Sequence, residues 1–142
     1  MSPAHVVAAG VLTRARRVLL CRRRADRGWY PGVWDLVGGH LEAGETAEQA
    51  LVRECREELA ITVLQAEPIG ADVHEPGMRL SLFAVLAWSG EPVNPAPEEH
   101  EEIAWFEPAA ALGLRLAHPS YPDLLERVAR LGVSRGVEQT FD

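Results

Sequence analysis

Hydrophobic and polar positions divide the chain into recognisable units. Two apolar runs, Val6 to Leu12 and Val18 to Cys21, flank the polar stretch from Thr13 to Arg17, and this arrangement predicts a β-hairpin. From Arg22 to Gly39 the chain is rich in Arg and punctuated by Gly and Pro, so it reads as a loop. Ala47 to Leu59 contains no Pro or Gly, and Thr46 followed three residues later by Gln49 is a capping-box signature, which predicts a helix. Ile61 to Leu64 and onward to Val73 is strand-like but broken at Pro68 and Gly70. Arg79 to Trp88 reads as a long strand and Glu102 to Phe106 as a short one, with a loop over Ser89 to Pro97, where one Gly and three Pro fall. Leu124, Leu125, Val128 and Leu131 recur at three- and four-residue spacing, predicting a helix from Pro122 to Leu131 with Gly132 as its cap and a loose tail over 133–142. Strands interleaved with an early and a late helix imply an α/β fold in which helices cover a mixed sheet.

The first of these helices breaks its own pattern. At 3.6 residues per turn, Ala47, Ala50, Leu51, Cys55 and Leu59 form one apolar stripe. Glu54 and Glu58 fall inside that stripe, and Glu57 lies on its border. A purely structural helix would carry apolar side chains at 54 and 58, because burying an unpaired carboxylate costs several kcal/mol. Side chains three and four apart share a helix face, so Glu54, Glu57 and Glu58 form a cluster that repels itself unless a cation sits among them. An all-oxygen donor set of this kind suits Mg²⁺ or Mn²⁺ rather than zinc. Arg53 stands four residues before Glu57 and is placed to pair with it. Upstream, the run from Gly38 to Glu45 brings three glycines and two further carboxylates to the helix, and a glycine backbone carbonyl there can approach a bound ion closely.

Charge and composition narrow the partners. The 142 residues carry a formal net charge of -7, and all 14 basic side chains are Arg. The segment before Gly38 holds seven Arg and two Asp, while nineteen acids face seven Arg in the remainder, so the N-terminal part is basic and the rest acidic. That balance disfavours a nucleic-acid polymer as partner. No apolar run approaches the ~20 residues of a membrane span, and the first residues lack a basic region followed by an apolar stretch, so a cytoplasmic protein without a membrane partner is expected. Cys21 and Cys55 sit in apolar surroundings without metal-ligand spacing and read as buried thiols. The length fits one domain over 1–142.

The stretch Gly39-His-Leu-Glu-Ala-Gly-Glu45, continuing to Arg53-Glu54-Cys55-Arg56-Glu57-Glu58-Leu59-Ala60-Ile61, resembles the 23-residue box of the Nudix (MutT-type) hydrolases, G-x5-E-x7-R-E-U-x-E-E-x-G-U with U a bulky apolar residue. Gly39, Glu45, Arg53, Glu54, Glu57, Glu58 and Ile61 match. Ala60 replaces the last glycine, at a turn where a positive φ would strain Ala, and Cys55 is small for an apolar position. The flanks agree: Trp34-Asp-Leu-Val-Gly-Gly resembles the family's entry to the box, with Val37 in place of Pro. Glu102 to Phe106 followed by Pro108 resembles its last strand.

The resemblance implies the Nudix fold, an α/β/α sandwich around a mixed sheet. It also implies Mg²⁺- or Mn²⁺-dependent hydrolysis of a nucleoside diphosphate linked to a group X. The expected substrate is a (d)NTP or an oxidised (d)NTP, cleaved to the monophosphate and pyrophosphate. ADP-ribose or a sugar nucleotide is the alternative, Pro76 lying near a proline position of ADP-ribose-cleaving members, and a non-catalytic nucleotide sensor is a third reading. Metal ligands carried over are Glu54, Glu57, Glu58 and the Gly39 carbonyl, with Glu45 supporting them and Arg53 orienting Glu57. The general base of the family comes from the box or from a later acid; Glu98, Glu99, Glu101 and Glu102 crowd the matching region and Glu102 is the choice, with Glu57 and Arg53 the other catalytic candidates. Substrate contacts are expected from Arg22, Arg24 and Arg27, whose forked donors suit phosphate, from Trp29 by stacking, and from His40 beside Gly39. The family includes homodimers, and this sequence has no feature that specifies one.

Overall fold

The computed structural model describes residues 5–24, 32–69, 73–75, 77–95, 97 and 100–134. In chain order the elements are β1 (His5–Arg14), β2 (Arg17–Arg23), β3 (Trp34–Asp35), β4 (Val37–His40), α1 (Ala47–Leu59), β5 (Thr62–Pro68), β6 (Val73–Glu75), β7 (Met78–Ser89), β8 (His100–Phe106), α2 (Pro108–Ala111) and α3 (Tyr121–Ser134). The path β3-β2-β1-β7-β5 forms the spine of a mixed sheet, with β4 also paired to β1, β6 to β7 and β8 to β2. β1 and β7 run parallel, and the other pairings are antiparallel.

Strand alternation sorts the apolar side chains onto two faces. Ala9 and Val11 of β1, Val18 and Leu20 of β2, and Leu80, Leu82, Ala84 and Leu86 of β7 pack against Tyr121, Leu124, Leu125 and Val128 of α3. Their neighbours Ala8, Leu12, Leu19, Cys21, Phe83 and Val85 pack on the other face against Ala50, Leu51, Cys55 and Leu59 of α1. Both sheet faces are thereby covered, which gives the α/β/α sandwich the sequence implies. Cys21 and Cys55 are free thiols in the α1 layer. Burial pushes both thiols up from their ordinary pKa, and the nearby Glu58 charge adds to the shift.

The hairpin forms as predicted, with Thr13 opposite Val18, Arg14 opposite Arg17, and Ala15 and Arg16 in the left-handed turn conformation. Both arms of the capping box are present: Gln49 N–H donates to Thr46 Oγ1 at 3.1 Å and Thr46 N–H to Gln49 Oε1 at 2.9 Å. Three expectations need correction. The stretch read as loop up to Gly39 contains β3 and β4, and β4 runs antiparallel to β1 with Ala8 opposite Gly39. Two adjacent glycines normally argue against a strand, but a Cβ on Gly38 would lie 2.1 Å from the Ala8 carbonyl oxygen, so close strand approach requires the glycine there. α2 was not expected, and α3 runs through Gly132 to Ser134 rather than stopping before it. Residues 135–142 and Pro76 lie outside the described residues.

α1 ends at Ala60, which adopts φ 58 and ψ 36 while its N–H donates to the Arg56 carbonyl. The strain inferred from the missing box glycine is therefore present in the backbone. Replacing Ala60 by Gly relieves it at an exposed position. Thermal or urea unfolding of Ala60→Gly is expected to show a gain of roughly 0.5–1 kcal/mol after the added unfolded-chain entropy is subtracted. A loss of stability would contradict the strain.

Candidate active site

The box loop and α1 meet around one guanidinium. Arg53 projects from the second turn of α1, and its Nε and Nη2 donate to Glu45 Oε2 and Oε1 at 2.8 and 3.0 Å, a two-pronged pairing across the loop. Nη2 also reaches the His40 carbonyl at 3.0 Å, and Nη1 donates to Glu54 Oε1 at 2.9 Å and to Glu57 Oε2 at 3.3 Å. Glu42 completes the ring of acids, with Oε1 3.5 Å from Nε. The expected i,i+4 pairing of Arg53 with Glu57 is present, and the guanidinium binds Glu45 and Glu54 as well. The pair to Glu57 is the longest of its carboxylate hydrogen bonds, and Glu57 remains the most exposed of the three helix carboxylates, with 58% of its side chain open against 15% for Glu54 and 5% for Glu58. Hydrogen bonds from Arg53 hold the Glu45 carboxyl below the usual glutamate range, and the same acids hold the guanidinium firmly protonated.

Glu54 leans onto β4. A Cβ on Gly39 would lie 2.5 Å from Glu54 Oε1, so only glycine leaves the carboxylate room against the strand backbone. Glu58 lies on the buried side of α1, and its Oε1 accepts from His100 Nε2 at 2.5 Å, both residues being under 5% exposed. The three carboxylates share one helix face, yet each leans on a cationic or imidazole side chain of the protein. Among the described residues, no three His, Cys, Asp or Glu groups gather at one point as metal ligands would. The sequence argument from an uncompensated carboxylate cluster is corrected to that extent: Arg53 and His100 supply compensation. The donor set still fits a hard divalent cation, being all oxygen, and the Gly39 cradle keeps the Glu54 carboxylate beside backbone.

Other candidates fall into place unevenly. Arg22 lies at the end of β2 with Nε 3.7 Å from Glu101 Oε2, and Arg24 Nη1 donates to the Pro97 carbonyl at 3.1 Å. His40 is exposed at the end of β4, where its carbonyl belongs to the Arg53 network. Arg27 and Trp29 lie outside the described residues, as do Glu98 and Glu99. Glu102 pairs with Arg22, and because Ile103 and Trp105 pack on the α1 layer, strand alternation turns Glu102 to the opposite face. The structure does not bring Glu102 to the helix carboxylates. It brings His100, which the sequence reading passed over because a His two residues ahead of a presumed strand gives no signal of long-range pairing.

Protonation of Glu45 tests the centre of this network. Its folded pKa is depressed, so its contribution is complete above the ordinary glutamate value of about 4.3 and is lost as pH falls through the depressed value. Carboxyl NMR titration is expected to give Glu45 a midpoint below ordinary glutamate, moving back toward it in Arg53→Met. An ordinary midpoint in the native protein would contradict the pairing.

The sequence model of the NUDIX domain matches residues 3–128. The chain is 33% identical over 131 residues to a CTP pyrophosphohydrolase of Escherichia coli, covering 91% of this chain and 94% of that one. It is 35% identical over 88 residues to an 8-oxo-dGTP diphosphatase of Proteus vulgaris, covering 60% and 79% of the two chains. Among solved structures it superposes on a MutT NUDIX hydrolase from Burkholderia pseudomallei with a TM-score of 0.75 at 28% identity, over 87% of this chain and 95% of the other. The box, the sandwich and the match across nearly the whole chain converge: the protein belongs to the Nudix hydrolase family.

Proposed function

We propose that the protein is a pyrophosphohydrolase that takes a nucleoside triphosphate, canonical or oxidised, to the monophosphate and pyrophosphate with a divalent cation. The single observation that carries this reading is the face of α1: Glu54, Glu57 and Glu58 side by side, backed by the Gly39 cradle and steadied by Arg53. The substrate class is supported by the relatives named above, a CTP pyrophosphohydrolase and an 8-oxo-dGTP diphosphatase. One domain over 1–142 is proposed as the acting unit. Among the described residues no helix is long and apolar enough to cross a membrane.

Glu54, Glu57 and Glu58, with the Gly39 carbonyl, would hold Mg²⁺ or Mn²⁺. Such a cation, when bound, would supply neutralisation of phosphoryl charge and a lowered pKa for water. The chain's own residues divide the remaining work. Glu57, the exposed carboxylate, is the one open to take a proton from water. Arg53 binds Glu45 with both prongs and the His40 carbonyl, tying the helix to the end of β4 and the loop that leaves it. Arg22 and Arg24 lie at and just past the end of β2; alternation turns Arg22, like its cross-strand partner Glu102, to the face away from α1, so these guanidinium forks would suit charged oxygens of the nucleotide beyond the sheet edge rather than those beside the helix carboxylates.

A screen of the purified protein with Mg²⁺ over canonical and oxidised dNTPs and NTPs, ADP-ribose, sugar nucleotides and dinucleoside polyphosphates is expected to show pyrophosphate release from a triphosphate. Activity confined to ADP-ribose would reject the triphosphate assignment, and no turnover with any compound would favour a nucleotide sensor. In the same assay Glu57→Gln is expected to lower kcat by about 10²-fold or more. Gly39→Ala should keep a native melting curve, because its Cβ meets only the flexible end of Glu54, yet lose turnover as that carboxylate is displaced.

A further inference from the structure

The pairing of His100 with Glu58 depends on an irregularity in the sheet. Along β8, Trp105 and Ile103 stand opposite Leu19 and Cys21 and pack on the α1 layer. Continued alternation would aim Glu101 at the helix and set a carboxylate against the buried carboxylate of Glu58. Instead the register shifts between Arg22 and Arg23, so that Glu102 pairs with Arg22 and His100 with Arg23, skipping Glu101. Glu101 keeps a third of its side chain exposed beside Arg22, and His100 takes the inward position at 3% exposure. A carboxylate can only accept a hydrogen bond, so His100 Nε2 carries the hydrogen given to Glu58 Oε1. Asn94 Nδ2 donates to the His100 carbonyl at 2.9 Å and anchors the imidazole from its backbone side.

We propose that His100 is a positioning residue for the cation site: delivered to α1 by the β8 register shift, it holds one oxygen of the Glu58 carboxylate and so fixes how that carboxylate meets a divalent cation. The inference rests on the reading that Glu58 is a cation ligand. A purely structural polar contact would also satisfy burial, but it would not couple His100 to metal affinity through Glu58. Positioning predicts that coupling, since partners that orient a ligand typically change metal affinity by 10–100-fold.

The test is Mn²⁺ binding to the full-length protein, followed by water-proton relaxation or electron paramagnetic resonance, together with the Mg²⁺ dependence of turnover. His100→Leu is expected to weaken Mn²⁺ binding by about 10-fold or more and to raise the Mg²⁺ needed for half-maximal rate to match, with the nucleotide KM at saturating Mg²⁺ little changed. His100→Gln, whose amide nitrogen reaches as far as Nε2, should restore most of the affinity. In a Glu58→Gln background, adding His100→Leu should weaken binding no further, because the histidine acts only through that carboxylate. Should His100→Leu fail to fold, His100→Asn takes its place, polar but too short to reach, and is expected to show the same loss. Wild-type affinity in a folded His100→Leu or His100→Asn protein, or an equal further loss in the Glu58→Gln background, overturns the inference. A wild-type protein that neither binds Mn²⁺ nor turns over any nucleotide instead overturns the cation-site reading on which it stands.

Discussion

The two-pronged bond between Arg53 and Glu45 is the constraint on which the site depends. It ties the loop that leaves β4 to the helix that follows it, and it does so with a charge-assisted pair only about one-fifth exposed on either side. With its Nε and Nη2 committed to Glu45, the guanidinium has Nη1 left for Glu54 and Glu57. A lysine at this position would supply a point charge but not the planar fork, and would leave either the loop or the helix carboxylates without a donor in the right plane. Core packing of α1 against β4 and the Arg53 hydrogen bonds together hold Glu54 against Gly39.

That geometry is affordable because the sheet is buried on both faces and the two layers carry different duties. The α3 layer is a large apolar cluster into which Tyr121 brings one polar contact, its hydroxyl donating to Asp35 Oδ1 at 3.0 Å. The α1 layer mixes a core of Leu51, Cys55, Leu59 and Trp88 with a charged row on the same helix. Its apolar residues anchor the helix, and the neighbouring glutamates are carried to fixed positions at the edge of the core. Glu58, which is inside that edge, is tolerated because His100 meets it. Arg14 gives the layer an outer seal, lying 4.3 Å above the Trp105 ring, which stacks on Trp88, while its own fork grips Glu91.

Periodicity made the large elements legible: the hairpin, both long helices, the capping box and the long strand β7 all follow from patterns that the backbone and the core impose together. The two-residue β3 and the glycine-bearing β4 were not legible, because their register is dictated by β1, and a Gly-Gly pair carries no local strand preference. In the site, misplaced polarity on α1 identified Glu54 and Glu58, since a residue that breaks an apolar stripe must be compensated somewhere. The compensating groups were half visible. Arg53 is close in sequence, although its main partner Glu45 is eight residues away in the loop, whereas His100 is 42 residues from Glu58 and arrives through a register shift that no local pattern announces. For the same reason strand parity counted from Trp105 alone would aim Glu101, not His100, at the helix.

Magnitudes also separate the arginines that hold the structure from those that are only loosely paired. Arg22 and Glu101 are 3.7 Å apart with 42% and 33% of their side chains exposed, and exposed pairs of this kind contribute about 0–1 kcal/mol. A polyphosphate, which offers several charge-assisted acceptors at once, can displace such a partner at little cost. Arg53 is different in kind: its acceptors include both oxygens of Glu45, Glu54 and a backbone carbonyl, so diverting it would dismantle the loop-to-helix junction. The strongly held Arg53 thus keeps the carboxylates of α1 in order, while Arg22 at the end of β2 is held only by a long, half-exposed pair.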